Sequence, residues 1–240
     1  MEPLNIPSRM LGQMMLPGFC ARCFWIALRC EGKLPYQIPF PGIFNSIDAY
    51  GKDIIHDYFD RKGELPPWYP KIGKVSEYLS SKKLHWTRFR HEDPKTRVVL
   101  RGTPDDIFKR PDGTHHIVDY KTAKATGTQD ELFPLYLVQL NVYAYIANAN
   151  GVFPTSALTL IYVEPLTDIP STEFDLVMDD SGFALNFMAT AKKVELKSEA
   201  LIPELMQRAR DIHERSRPPA GEAGCKDCEK LERVMALVGK

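Results

Sequence analysis

Hydrophobic positions along the chain change their period twice, and those changes divide it into three parts. In the first third they fall at helical spacing, which predicts a short helix from Cys20 to Cys30 and a longer one from Ile43 to Arg61. The longer helix carries Ile43, Ile47, Tyr50, Ile54 and Tyr58 as its apolar stripe, between Pro39 and Pro41 at one end and Gly63 at the other. A Pro-rich loop follows, with a further helix over Ile72–Leu79. From Leu84 to Tyr120 the pattern alternates and predicts a meander of strands: Leu84–His91, Thr96–Arg101, Asp105–Arg110 and Thr114–Tyr120. Pro111, Asp112 and Gly113 supply a tight turn between the last two. Helical spacing returns over Leu132–Asn148 and ends at Asn150 and Gly151; Ala157–Val163 and Glu173–Met178 read as strands. Residues 183–197 suit either strand or helix. Leu201, Leu205, Met206, Ala209 and Ile212 share one side of a helix from Leu201 to Arg215, stopped by Pro218 and Pro219.

Composition narrows the class without naming a function. At 240 residues and 44% hydrophobic, the chain is sized for one domain. We divide it into a helical N-terminal part (1–83), a sheet-and-helix part (84–180) and C-terminal helices with a cysteine pair (181–240). Lys plus Arg equal Asp plus Glu at 31 each, so no global basic field draws the chain to nucleic acid, and any such binding rests on local patches. There is no signal-peptide pattern and no apolar run long enough to span a bilayer, so the expected location is cytoplasmic, with no membrane partner.

Candidate chemistry concentrates in residues 102–121. Side chains alternate along a strand, so Asp119 and Lys121 project to the same side with Ile117, while Val118 and Tyr120 face the other way. The hairpin brings Asp105 alongside, giving two carboxylates able to share a hard divalent cation, Mg²⁺ or Mn²⁺, which prefers oxygen ligands. Gln139 and Tyr143, four apart on the following helix, share a face. Gly102 and Asp105 as Gly-x-x-Asp, then Asp119 to Thr122 as Asp-x-Lys-Thr, then Gln139 and Tyr143 as Gln-x-x-x-Tyr, resemble the motif series of PD-(D/E)XK nucleases of the RecB-like branch.

That resemblance implies an α/β fold with a restriction-endonuclease-like core: a mixed, mostly antiparallel central sheet flanked by helices, after a helical N-terminal segment. It implies a metal-dependent deoxyribonuclease, exonuclease-like, hydrolysing phosphodiesters. Asp105, Asp119 and the backbone carbonyl of Tyr120 would hold the cation with His56, which is placed opposite the apolar stripe of its helix. Lys121 would orient the attacking water, and Gln139 and Tyr143 would line the DNA path. The usual family residue at Asp106 is apolar, which makes that acid an alternate. The other reading of the resemblance is a weakly active nuclease-fold DNA-binding protein serving a CRISPR-adaptation or repair partner.

Five cysteines form two Cys-x-x-Cys pairs, Cys20 with Cys23 and Cys225 with Cys228, plus Cys30. In a reducing compartment such pairs point to metal rather than disulfides. RecB-like nucleases of the AddB and CRISPR-adaptation types carry an iron-sulfur cluster on one upstream and three downstream cysteines. This chain offers two and two, so a [4Fe-4S] cluster and Zn²⁺ are both open. Cys30 reads as a small buried hydrophobe, Phe24 and Trp25 as core, and His115 and His116 as solvated. Lys82, Lys83, Arg88, Arg90, Arg97 and Arg101, interleaved with Trp86 and Phe89, either grip phosphates and stack bases or mark a half-exposed sheet. Arg88, Arg90 and Arg101 are the candidate DNA contacts.

Overall fold

The computed structural model describes residues 1–30, 41–80, 89–125, 127–168, 170, 173 and 177–238. In chain order its elements are β1 (Leu4–Pro7), α1 (Ser8–Gly12), a 3₁₀ turn at Gln13–Met15, α2 (Ala21–Arg29), α3 (Gly42–Lys62), β2 (Glu77–Ser80), β3 (Arg90–Glu92), β4 (Val98–Arg101), β5 (Asp106–Lys109), β6 (His115–Thr122), α4 (Gly127–Ala149), β7 (Thr155–Pro165), β8 (Met178–Asp179), β9 (Gly182–Phe183), β10 (Phe187–Val194), α5 (Ser198–His213) and α6 (Lys226–Val238). Among the described residues no helix is long and apolar enough to cross a membrane.

The central sheet runs β10-β7-β6-β5-β2. Only β6 and β7 pair in parallel, joined by α4 as the crossover, and the other neighbours are antiparallel. This is the mixed, mostly antiparallel sheet flanked by helices that the motif series implies. One face, carrying Ile117, Leu158 and Leu160, packs on α4. The other, carrying Phe108, Val118, Tyr120 and Ile161, packs on Ile55 and Phe59 of α3 and on Tyr69 and Ile72. Helix α4 is layered between the sheet and α5, so Val138, Leu140, Val142, Ala144, Ile146 and Ala147 are all inaccessible to solvent.

Several expectations are corrected. The meander is split: β3 and β4 form a hairpin in a second sheet of order β1-β4-β3, while β5 and β6 belong to the central one. Strand β1, parallel to β4, was not legible as a strand, and so the N-terminal part is not purely helical. Buried Arg210 ties the second sheet to α5 by donating to the carbonyls of Glu2, Thr96 and Arg97.

The helix expected over Ile72–Leu79 is extended chain ending in β2. Ile72, Val75 and Tyr78 mimic helical spacing, but Gly73 is left-handed at φ +95°, and pairing of Tyr78 with Phe108 and Leu79 with Ile107 overrides it. Of the strand expected over 84–91, residues 84–88 lie outside the described residues. Of Glu173–Met178, only Met178 is in a described strand, and 174–176 lie outside them. Within residues 183–197 the strand reading holds over Phe187–Val194, the edge strand β10. Helix α6, which begins inside the second cysteine pair and contains Cys228, was not anticipated.

The apolar stripe of α3 was misplaced. Ile43 and Tyr50 are 62% and 69% exposed, and the helix packs through Ile55 and Phe59 near its C-terminal end. His56 consequently faces inward, stacked on Tyr78 with ring centroids 4.4 Å apart. Gly63 does end the helix, at φ +72°, donating its N–H to the Phe59 carbonyl.

Candidate active site and cysteine cluster

A tight turn builds the acidic site. Gly113 takes φ +83°, and Asp112 Oδ1 accepts hydrogen bonds from the N–H and hydroxyl of Thr114 at 2.9 and 2.7 Å. The resulting β5–β6 register sets Asp106 opposite Val118 and Ile107 opposite Ile117. Asp105 lies one step beyond, across from Asp119, and its Oδ2 accepts the N–H of Tyr120 at 2.8 Å. Alternation puts Val118 and Tyr120 in the α3-side core and Ile117 in the α4-side core.

Asp119 thus points toward α4. Its Oδ2 forms an ion pair with Lys121, and its Oδ1 receives the Gln139 amide at 3.4 Å. Gln139 also donates to the Tyr143 hydroxyl at 2.7 Å, so both α4 residues converge on the acid. Burial pushes the Asp119 carboxyl up to about 6 against the pull of the Lys121 ammonium, and the charge of Asp105 adds to the rise. Gln139 Oε1 is buried with no hydrogen-bond partner among the described residues. Asp105, Asp119 and the Tyr120 carbonyl are hard oxygen donors, and a buried carboxylate is stabilised by a nearby cation, so this donor set fits a divalent ion.

The α3 face carries a separate polar chain. His56 Nε2 bonds Asp106 Oδ1 at 2.7 Å, the Tyr120 hydroxyl donates to Asp106 Oδ2 at 2.8 Å, and the Tyr69 and Tyr120 hydroxyls lie 2.8 Å apart. Asp106 is fully buried, and burial raises its carboxyl. His56 is therefore partnered with Asp106. Among the described residues, the one group of three or more His, Cys, Asp or Glu side chains gathered closely enough to hold a metal is the cysteine cluster, and His56 is not so gathered with Asp105 and Asp119.

Lys52 and Asp48 were missed by the sequence reading. The Lys52 ammonium lies 2.7 Å from Asp105 Oδ1 and 2.5 Å from Asp48 Oδ2. Burial works against its charge, but the two carboxylates hold it above the usual lysine range. The available signal was an acid and a lysine four apart on one helix.

Among the other candidates, Arg90 and Arg101 are exposed and sit opposite each other in the β3–β4 ladder. Lys82, Lys83, Trp86 and Arg88 lie outside the described residues. Phe89 is 1% exposed and part of the core, so it offers no ring for base stacking. Arg97 pairs with Glu92 at 2.7 Å. His115 and His116, expected in solvent, are buried: the first stacks on Phe153, the second bonds Thr159 Oγ1 at 2.8 Å. Phe24 is core, and Trp25 is half-buried against it.

The two Cys-x-x-Cys pairs meet. Each begins where a helix begins, Cys20 and Cys23 at α2 and Cys225 and Cys228 at α6, and the four sulfurs lie within 4.8 Å of one another. Cys20–Cys228, Cys23–Cys225 and Cys23–Cys228 are 3.5, 3.6 and 3.4 Å apart. Burial opposes ionisation at Cys20, but the backbone N–H groups of Glu222 and Cys23 outweigh it and bring that thiol down to about 6. Burial raises Cys23 and Cys228, the latter to about 11. Cys30, expected to be buried, is exposed and apart from the cluster.

Thiolates around one tetrahedral ion with ~2.3 Å metal–sulfur bonds stand about 3.8 Å from one another. A four-iron cluster gives each thiolate its own iron, which spreads the sulfurs more widely than convergence on one centre. The observed spacing fits the single ion.

No curated relative matches the chain. Among solved structures, an alkaline exonuclease, LHK-Exo from Laribacter hongkongensis, is 12% identical at TM-score 0.44, over 98% of this chain and 94% of that one. The same exonuclease in complex with dAMP is 11% identical at TM-score 0.39, over 98% and 93%. The family model of the PD-(D/E)XK nuclease superfamily matches residues 63–232, from the end of α3 through the hairpin and α4 to the second cysteine pair. The chain belongs to the PD-(D/E)XK nuclease superfamily.

Proposed function

We propose that the protein is a Mg²⁺- or Mn²⁺-dependent deoxyribonuclease of the RecB-like kind, with Asp105, Asp119 and Lys121 at its centre. The observation that carries this reading is Asp119 and Lys121 side by side on β6, with Asp105 held across from them by the Tyr120 N–H. Asp105, Asp119 and the Tyr120 carbonyl would hold the cation, which when bound lowers the pKa of a water ligand and neutralises charge on the phosphate. Lys121, tethered to Asp119, orients the attacking water and offsets negative charge developing on the phosphoryl oxygens. Gln139 and Tyr143 fix Asp119 from the α4 side and face the scissile region. His56 acts through Asp106 and Tyr120, keeping β6 in place beside the cation.

For the cysteines the reading is a single tetrahedral ion, Zn²⁺, rather than a [4Fe-4S] cluster, because the sulfur spacing favours convergence on one centre. Metal analysis and absorbance of anaerobically purified protein decide this: zinc and no visible band are expected, whereas four irons with a brown chromophore contradict it. The nuclease reading is tested by incubating labelled single-stranded and double-stranded DNA, with RNA in parallel, in Mn²⁺ and in EDTA. Cleavage of DNA in Mn²⁺ alone is expected. Cleavage that persists in EDTA, or acts on RNA but not DNA, removes it.

A further inference from the structure

We propose that a groove between α1 and the β3–β4 hairpin is a phosphate-binding track that holds the substrate strand beside the scissile bond. The inference rests on the nuclease reading above. The groove has a volume of about 420 Å³ and is lined by Ser8, Arg9, Phe89, Arg90, Arg101 and Gly102, with Pro7 and Thr103 at its ends.

Its charge distribution carries the argument. Arg90 and Arg101 are direct cross-strand partners, so two guanidinium groups stand on one face of one ladder position. Like charges placed directly opposite destabilise a strand pair. Four arginines have a carboxylate partner, Arg22 with Glu232, Arg61 with Asp57, Arg97 with Glu92 and Arg210 with Glu214, and others such as Arg29 and Arg110 have none among the described residues, so what distinguishes this groove is that three such groups gather in one place. Arg9, Arg90 and Arg101 have no carboxylate partner among the described residues and converge on one cavity. Three uncompensated guanidinium groups around a groove are a site for an anion with several phosphates, which Arg binds through paired N–H donors.

The groove also leads to the acidic site. A Cβ at Gly102 would stand 2.5 Å from Ser8 Oγ and 2.7 Å from Tyr143 Cε1, so the groove floor, Ser8 and Tyr143 are in contact. Tyr143 in turn holds Gln139, which reaches Asp119. Past Gly102 and Thr103 the chain arrives at Asp105. A strand whose phosphates lie on the three arginines is thereby delivered to the carboxylates.

The test is fluorescence anisotropy of labelled single-stranded DNA, with no added Mg²⁺ or Mn²⁺, over a series of salt concentrations. It compares the wild-type protein, the Arg9→Ala/Arg90→Ala/Arg101→Ala triple variant and an Arg61→Ala control. Each lost phosphate contact lowers the slope of log K against log salt by about 0.7, so the triple variant is expected to lose roughly two in slope and at least about tenfold in affinity at low salt. The control keeps both. Strands with and without a 5′ phosphate separate the two sources of the anion: equal losses assign the groove to internal diesters, and a loss confined to phosphorylated ends assigns it to a terminal phosphate. A triple variant that binds both strands like wild type overturns the proposal while leaving nuclease activity intact; a wild-type protein that neither binds nor cleaves DNA overturns the underlying reading as well. Thermal unfolding guards against trivial loss of structure. Arg101→Ala relieves a like-charge pair and is expected to melt no lower than wild type, whereas a lower melting point would give Arg101 a structural role and count against the proposal.

Discussion

Gly102 shows how closely individual residues are specified around the acids. A methyl group there collides with Ser8 and the Tyr143 ring, so Gly102→Ala is expected to lower stability by about 1–3 kcal/mol in urea denaturation and to displace Tyr143 from Gln139. Full stability together with full DNA cleavage would show that the contact is dispensable. Asp106 behaves differently. It is the shared acceptor of His56 and the Tyr120 hydroxyl in a site closed to water, and Asp106→Ala strands both partners, at about 3–5 kcal/mol. A variant within about 1 kcal/mol of wild type would contradict that role. The sequence singles out Asp105, Asp119 and Lys121 because their spacing on a hairpin is a local matter. The contacts of Asp106 and Lys52 were illegible because each joins α3 to the start of β5, His56 to Asp106 and Lys52 to Asp105, some 50 residues apart in the chain, and no local pattern announces such a contact.

Among the elements, α6 is the one most dependent on the cysteines. Cys228 is its only buried residue among those described, while Met235, Leu237 and Val238 are 58%, 76% and 78% exposed. Beyond the sulfurs, it is tied to α2 by the Arg22–Glu232 ion pair, which is too exposed to contribute much. Stripping the metal with a chelator under reducing conditions is therefore expected to make 216–238 sensitive to limited proteolysis while the sheet and α4 stay resistant. Equal protection before and after chelation would show that packing alone holds the helix. The Cys-x-x-Cys pairs themselves were legible, but α6 was not: it is held by a cysteine cluster shared with α2, about 200 residues upstream, rather than by an apolar stripe. The same reasoning explains the false helix over Ile72–Leu79, where pairing with β5 overrides the helical spacing that the sequence shows.

On the scale of the whole molecule, pH stability is set in part by His116. Burial, aided by the Arg110 guanidinium 3.2 Å from Nδ1, lowers it to about 4, against the Ile72 carbonyl, and its Nε2–H is left to donate to Thr159. The unfolded chain binds this proton below about 6.5 and the folded chain only below about 4, so stability contributed above that window is lost as pH falls through it, by about 3 kcal/mol. Chemical denaturation at pH 7 and pH 4.5 should show a drop for the wild-type protein that His116→Phe reduces; an identical drop in both would assign it elsewhere. The layered α/β architecture was legible because α4 and the β5–β6 hairpin have strong periods. The second sheet was not, because β1 and β3 are too short to show one. The central sheet carries Asp119 and Lys121, with Asp105 at the start of its β5–β6 hairpin. The most direct measurement there is the single-turnover rate of Mn²⁺-dependent DNA cleavage by Lys121→Ala against wild type, at matched DNA affinity. A fall on the order of 100-fold or more is expected if the ammonium acts on the reacting water and phosphate, and equal rates would contradict the account.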